Sequence, residues 1–228
     1  AYLCGYLVPS SNQAIDSLMS KEEVTSANWS SLEVKLLNTV DIFLHKPTIM
    51  KKAEANLTAL KLEIIKTLSQ ESNPCPAEAD ILKGQIVRGE NHNGFPFISL
   101  DMPQMFSKNK MFTYRTLFWW GHYLIFSLII KEENQGSLIE KLVYFKEHPE
   151  WKDIQLAISP TPWEWEKNEN NFLLLSEISE SEIRNIISSI QYIKLCRFFA
   201  LSSPEFPNFN WVDNGLATWE TLSKIYTD

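Results

Sequence analysis

The chain has 228 residues, of which 44% are hydrophobic and 21% charged, and it carries a net charge of −7. That length buries roughly 70% or more of the unfolded surface, and the composition excludes a disordered or low-complexity protein. An acidic chain without a basic cluster is poorly suited to phosphate backbones, so no nucleic-acid partner is expected.

The acidity is uneven. Residues 150–228 hold 12 Asp and Glu against 6 Lys and Arg, which places −6 of the −7 there. Three cysteines, Cys4, Cys75 and Cys196, are odd in number and widely spaced, with no C-x-x-C. A disulfide framework or zinc cluster is not expected, and reduced thiols in a cytoplasmic protein fit the pattern. The opening AYLCGYLVP lacks a basic region and has too few apolar residues for a secretory signal. It is expected to form a strand or to pack onto the core.

Residues 29–45 place Trp29, Leu32, Leu36, Leu37, Val40, Phe43 and Leu44 on a helical stripe. His45 and Lys46 would sit at the negative end of that helix, and Pro47 would break it and open the next. The second helix follows Ile49, Ala53, Leu57, Leu60, Ile64 and Leu68 up to Ser69. Gln70–Ala77, with Pro74 and Pro76, reads as a loop. Leu82–Arg88 and Phe95–Asp101 then read as a hairpin around the turn Gly89–Gly94, ended by Asp101-Met102-Pro103.

The run MFTYRTLFWWGHYLIFSLIIK, Met111 to Lys131, is the most aromatic part of the chain. Its apolar stretch, Leu117 to Ile130, is too short for a membrane-spanning helix, which takes roughly 20 residues. Alternation favours two strands, near 111–119 and 122–131, meeting at Trp120–Gly121. Phe112, Tyr114, Thr116 and Phe118 would share one face, and Thr113, Arg115, Leu117 and Trp119 the other. Ser137–His148 reads as a short helix, Ile154–Ile158 and Asn171–Leu175 as strands. Between those strands Pro160, Pro162 and the WEWE of Trp163, Glu164, Trp165 and Glu166 suggest an exposed excursion. Ser179–Leu201 reads as one long helix, capped by Ser179 or Ser181 and carrying an isoleucine stripe from Ile183 to Ile193. Pro204–Phe209 reads as a loop and Gly215–Tyr226 as a terminal helix. The sum is a single α+β domain over residues 1–228: an antiparallel sheet of four to six strands, a meander at its centre, covered by amphipathic helices.

No phosphate-binding loop, dinucleotide fingerprint, nucleophile elbow or zinc-protease pattern occurs. The one constellation with chemical content is Arg88, Glu90, His92, Asn93, Asp101, Arg115 and His122, with Trp119 and Trp120. Glu90 could orient His92 as a base, and Arg115 could hold a carboxylate or phosphate. The competing reading is structural: a turn by composition, and an arginine that pairs with Asp101 or stacks on a tryptophan. Two histidines and two carboxylates could also bind a metal, but no local ligand spacing supports one; no metal or cofactor is expected. A second candidate is the acidic, Trp-bearing surface at Trp163, Glu164, Trp165 and Glu166, since six glutamates face one lysine between Glu164 and Glu182. Tryptophan anchors rimmed by acid suit a basic protein partner.

From Arg88 to Leu128 the chain also resembles an uncharacterised family of bacterial hypothetical proteins. The residues carrying this are Arg88-Gly89-Glu90-Asn91-His92-Asn93-Gly94-Phe95-Pro96-Phe97, Leu100-Asp101-Met102-Pro103 and Arg115-Thr116-Leu117-Phe118-Trp119-Trp120-Gly121, against R-G-E-N-Y-x-G-x-P-Y, L-D-Y-P and R-T-x-F-W-W-G. The chain departs at His92, Phe97 and Met102, where that pattern has tyrosine. The resemblance implies a cytoplasmic bacterial protein and assigns no activity. The leading expectation is therefore a non-enzymatic cytoplasmic binding or interaction protein with an acidic surface and no membrane partner. The alternative is an enzyme or small-ligand binder using the His92, Arg115 and His122 cluster.

Overall fold

The computed structural model describes residues 28–69 and 74–226; the opening AYLCGYLVP and Cys4 lie outside the described residues. The first two helices are α1 (Ser31–Leu37) and α2 (Asp41–Leu68). The break between them falls at Asn38–Val40, and Pro47 lies inside α2, contrary to expectation. Thr39 Oγ1 donates to the Lys35 carbonyl at 3.0 Å while the Thr39 amide turns to that of Leu36, so a side chain takes the carbonyl that the next helical bond would need; Asn38 Nδ2 adds a second bond to the Val34 carbonyl at 2.7 Å. Pro47 only leaves the Phe43 carbonyl without its intrahelical donor. That part of α2 is exposed, so water can satisfy the freed group.

The sheet is antiparallel and has seven strands, in the order β1 (Gln85–His92), β2 (Phe95–Phe106), β3 (Met111–Trp119), β4 (Tyr123–Lys131), β7 (Ile193–Ala200), β5 (Gln155–Ala157) and β6 (Phe172–Leu174), where four to six were expected. Strands β1 (Gln85–His92), β2 (Phe95–Phe106), β3 (Met111–Trp119) and β4 (Tyr123–Lys131) form the expected meander. Its first turn is tighter than the composition suggested. Only Asn93 and Gly94 are outside the strands, with φ of 50° and 86°. That is the backbone of a two-residue hairpin turn, which Asn-Gly adopts at little steric cost. Strand β2 also runs past Pro103. The ladder to β3 shifts register between Asp101 and Gln104, so a residue without an N–H is tolerated at the irregularity.

After α3 (Gly136–Phe145) come the short strands β5 (Gln155–Ala157) and β6 (Phe172–Leu174), close to their expected positions. Helix α4 (Glu180–Ile190) is opened by a capping box between Ser179 and Glu182, as expected, but it is only half as long as the helix read from the sequence. Gln191 turns left-handed, at φ 62°, and Ile193–Ala200 becomes β7, inserted between β4 and β5. The isoleucine stripe of α4 happens to run into a strand whose alternation matches its neighbours, and pairing on both edges overrides local helical pattern. Helix α5 (Trp211–Leu222) closes the fold and starts four residues before the expected Gly215.

The helices cover one sheet face. The α2 stripe Met50, Ala53, Leu57, Leu60, Ile64 and Leu68 packs there with Leu100, Tyr114, Phe126, Leu195 and Trp219. The opposite face has a smaller core of its own: Met111, Leu117, Trp119, Ile125, Ile129, Tyr192 and Cys196, with Trp165 and Phe172. It is roofed by the β5–β6 connection.

Candidate functional site

The register brings polar groups into line on that second face. Asp101, Arg115, Ser127 and Cys196 are direct neighbours across β2, β3, β4 and β7. Thr113, Ile129 and Lys194 form the next row. Arg115 donates from Nε to Asp101 Oδ1 at 2.8 Å and from Nη2 to Oδ2 at 2.7 Å. Thr113 Oγ1 donates to the same carboxylate at 2.8 Å. Asp101 is 1% exposed, so its charge is held by a bidentate partner and a hydroxyl in place of water. The Nη1 edge of Arg115 is not used in this pairing.

The connection 158–171 folds back over these residues. Its base is tied by the Ile158 amide donating to the Asn171 carbonyl at 2.8 Å, and by Tyr192 Oη donating to the Ser159 carbonyl at 2.6 Å. The Glu164 carboxylate accepts the amides of Trp165 and Glu166 at 2.8 Å each, which makes a tight turn of the WEWE segment. Trp165 is 3% exposed and Trp163 41%. The Arg115 guanidinium carbon lies 4.6 Å from the Trp163 ring centre and 5.9 Å from that of Trp165. Arg115 thus has both partners the sequence offered as alternatives, the acid and the indole.

Lys194 lies deeper. Its Nζ is 3.4 Å from the Trp165 ring centre and 5.0 Å from that of Phe172, and it donates to the Glu164 carbonyl. The side chain is fully buried, and burial lowers its pKa from 10.5 to about 8, with Cys196 and Glu164 opposing and Arg115 adding to the fall. Burial pushes the Cys196 thiol up to about 12. The ring of His122 stacks on Trp119, 3.7 Å between centres at 13°. His92 meets Trp119 edge-on at 5.0 Å, and Trp119 Nε1 donates to the His92 carbonyl at 3.1 Å. Burial lowers both imidazole pKa values below 6.5, against the nearby carboxylates of Glu164 for His92 and Glu166 for His122. Both rings are therefore neutral at pH 7. The Nε2 of each is buried without a hydrogen-bond partner.

Two cavities open beside Trp163. One, of about 160 Å³, is lined by His92, Phe97, Arg115, Leu117, Trp163 and Trp165. Phe97 can lie there because Gly89 is beneath it; a Cβ at Gly89 would come within 2.1 Å of the ring. The other, of about 350 Å³, has Lys108, Lys110, Lys131, Phe106, Trp163 and Tyr192 in its walls. No Asp or Glu lines either. Glu132 is the carboxylate close to Lys110.

The sequence cluster is thereby split. His92, Asp101, Arg115, Trp119 and His122 belong to the second face. Arg88, opposite Ile98 on the helix-covered face, pairs with Glu54 of α2. Glu90 pairs with Lys46, so it does not orient His92. Asn93 forms the hairpin turn, and Trp120 packs into the helix-side core. The WEWE segment, read from the sequence as a separate surface, is the roof of the same site. Lys194, Cys196 and Phe97 were missed, and so were the three lysines. The signal for Lys194 and Cys196 was present: in Ile193–Ala200 alternate residues Ile193 and Leu195 are apolar, while Lys194 stands between them. Among the described residues no group of three or more His, Cys, Asp or Glu is placed to hold a metal ion, and no helix is long and apolar enough to cross a membrane. Comparison with protein-family models, with curated proteins and with solved structures finds no match to this chain.

Proposed function

We propose that this protein binds a small organic anion with a flat aromatic part, on the second sheet face beneath the 158–171 roof. The observation that carries this is the pair of cavities sharing Trp163. One presents aromatic walls, a spare guanidinium edge and the unpartnered Nε2 of His92; the other presents three lysines; neither has a carboxylate in its lining. In a chain of net charge −7, such a concentration of cations favours an anionic ligand. The smaller cavity matches an aromatic ring in size, since a void of about 150 Å³ accommodates benzene. An acidic group on that ring would reach past Trp163 toward Lys108 and Lys131. The neutral His92 offers one hydrogen bond to a polar ring substituent. Free Cys75 and Cys196 fit the reducing cytoplasm as the place of action. This reading takes the WEWE segment as a binding roof in preference to an acidic protein interface, because Trp165 is buried and Glu164 is engaged by its own segment.

The test is calorimetric titration with phenyl phosphate, benzoate and aniline. The two anions are expected to bind and aniline not. Trp163→Ala, by removing an aromatic wall shared by both cavities, and the pair Lys108→Gln/Lys131→Gln, by removing charge-assisted contacts, should each weaken binding about 10-fold or more, with melting temperature unchanged. Equal binding of aniline, or affinities indifferent to both variants, would overturn the proposal.

A further inference from the structure

The N-terminal arm presents a different and independent problem. Helix α1 has seven residues and none is buried. Helices that short do not hold themselves together in water and depend on packing. Across 29–49, Trp29, Leu32, Val34, Leu36, Leu37, Val40, Ile42, Phe43, Leu44 and Ile49 are each between 40% and 73% exposed. Burial begins abruptly at Met50, where α2 reaches the sheet. At roughly 150–200 Å² per large apolar residue, these ten expose roughly 1,000 Å² in all, summed over every side of α1 and the first turns of α2; a standard interface takes about 800 Å² from each partner.

We infer that this arm is a homodimer interface, in which α1 and the first turns of α2 pack on the same elements of a second copy. Charge selects the occupant. Segment 29–49 holds only Glu33 and Asp41 against Lys35 and Lys46; with Lys46 paired to Glu90 of the sheet, one negative charge is left uncompensated within the arm. Two such arms meet with little like-charge repulsion. A helix built to lie on an anionic membrane surface would be rich in Lys and Arg, and a strongly charged partner protein would find no complementary field. A two-fold pairing also needs only self-complementarity, which an apolar helix pair with little net charge supplies. The arm belongs to a different part of the molecule from the cavities around Trp163, so its role does not depend on ligand binding.

Sedimentation velocity and light scattering on the full chain test this. The expected mass is twice 26.4 kDa at micromolar concentration, unchanged in 0.5 M NaCl because the contact is apolar. Leu36→Glu and Phe43→Glu should each weaken self-association at least 100-fold and yield a monomer. Because both positions are exposed in the single chain, near-UV circular dichroism of the monomeric variants should match wild type; collapse of that signal in both, with Leu37→Ser still dimeric, would overturn the assignment. A wild-type monomer at 100 µM would also overturn it, whether deletion of residues 1–27 then produces a dimer, showing that segment to be the cover, or the protein instead floats with anionic vesicles.

Discussion

Replacing Lys194 by methionine is the sharpest test of the second sheet face. The ammonium is fully buried, and its pKa falls from 10.5 to about 8. For a base with a lowered folded-state pKa, the unfolded chain binds more protons between about 8 and 10.5. Stability from this group therefore rises with pH across that interval, and the cost of the buried charge is fully present below pH 8. At about 1.4 kcal/mol per decade, that cost is about 3 kcal/mol. Methionine has a similar shape and no charge. Removing the bond to the Glu164 carbonyl costs about 1 kcal/mol at every pH, so the net gain at pH 7 is about 2 kcal/mol. At pH 9 the charge cost has dropped to about 2 kcal/mol, and the net gain to about 1 kcal/mol. Thiols and phenols titrate in the same range, and Cys75 and Cys196 are pushed to about 12. They occur in both proteins, so they cancel in the difference. The assay is urea unfolding of wild type and Lys194→Met at pH 7, 8, 9 and 10. A difference that stays constant over that range, or a variant less stable than wild type at pH 7, refutes the placement of an ammonium in the box of Trp165 and Phe172.

Asp101→Asn removes the partner of a mostly buried guanidinium and should cost about 3 kcal/mol by urea unfolding; adding Arg115→Met should recover part of the loss, because no unpaired charge then remains. Cys196 should resist Ellman's reagent at pH 8 in the native protein and react on unfolding, since it is buried and its thiolate is disfavoured; peptide mapping that finds Cys196 modified under native conditions would contradict its position under the roof.

Much was decided locally and was legible in the residues. The α2 stripe from Ala53 to Leu68, the split of Met111–Lys131 into two strands at Gly121, the alternation that separates Phe112 and Tyr114 from Thr113 and Arg115, and the Ser179–Glu182 cap each depend on neighbours a few positions away. The pairing of Arg115 with Asp101 reaches across 14 positions but needs only two consecutive strands. The misread elements are those where a distant partner outweighs a local pattern. Residues 193–200 complete an isoleucine stripe and would extend a helix, but β4 and β5 offer unpaired edges on both sides, and satisfying both ladders decides for strand. The site followed the same rule. Whether Trp165 is an exposed anchor or a buried roof depends on where the 158–171 connection lands, and that is set by Tyr192, Lys194 and the strand they border, all from a later part of the chain. Residue type and spacing specify what each side chain is able to do; only the order of strands in the sheet places Lys194, Arg115 and Trp163 within reach of one another.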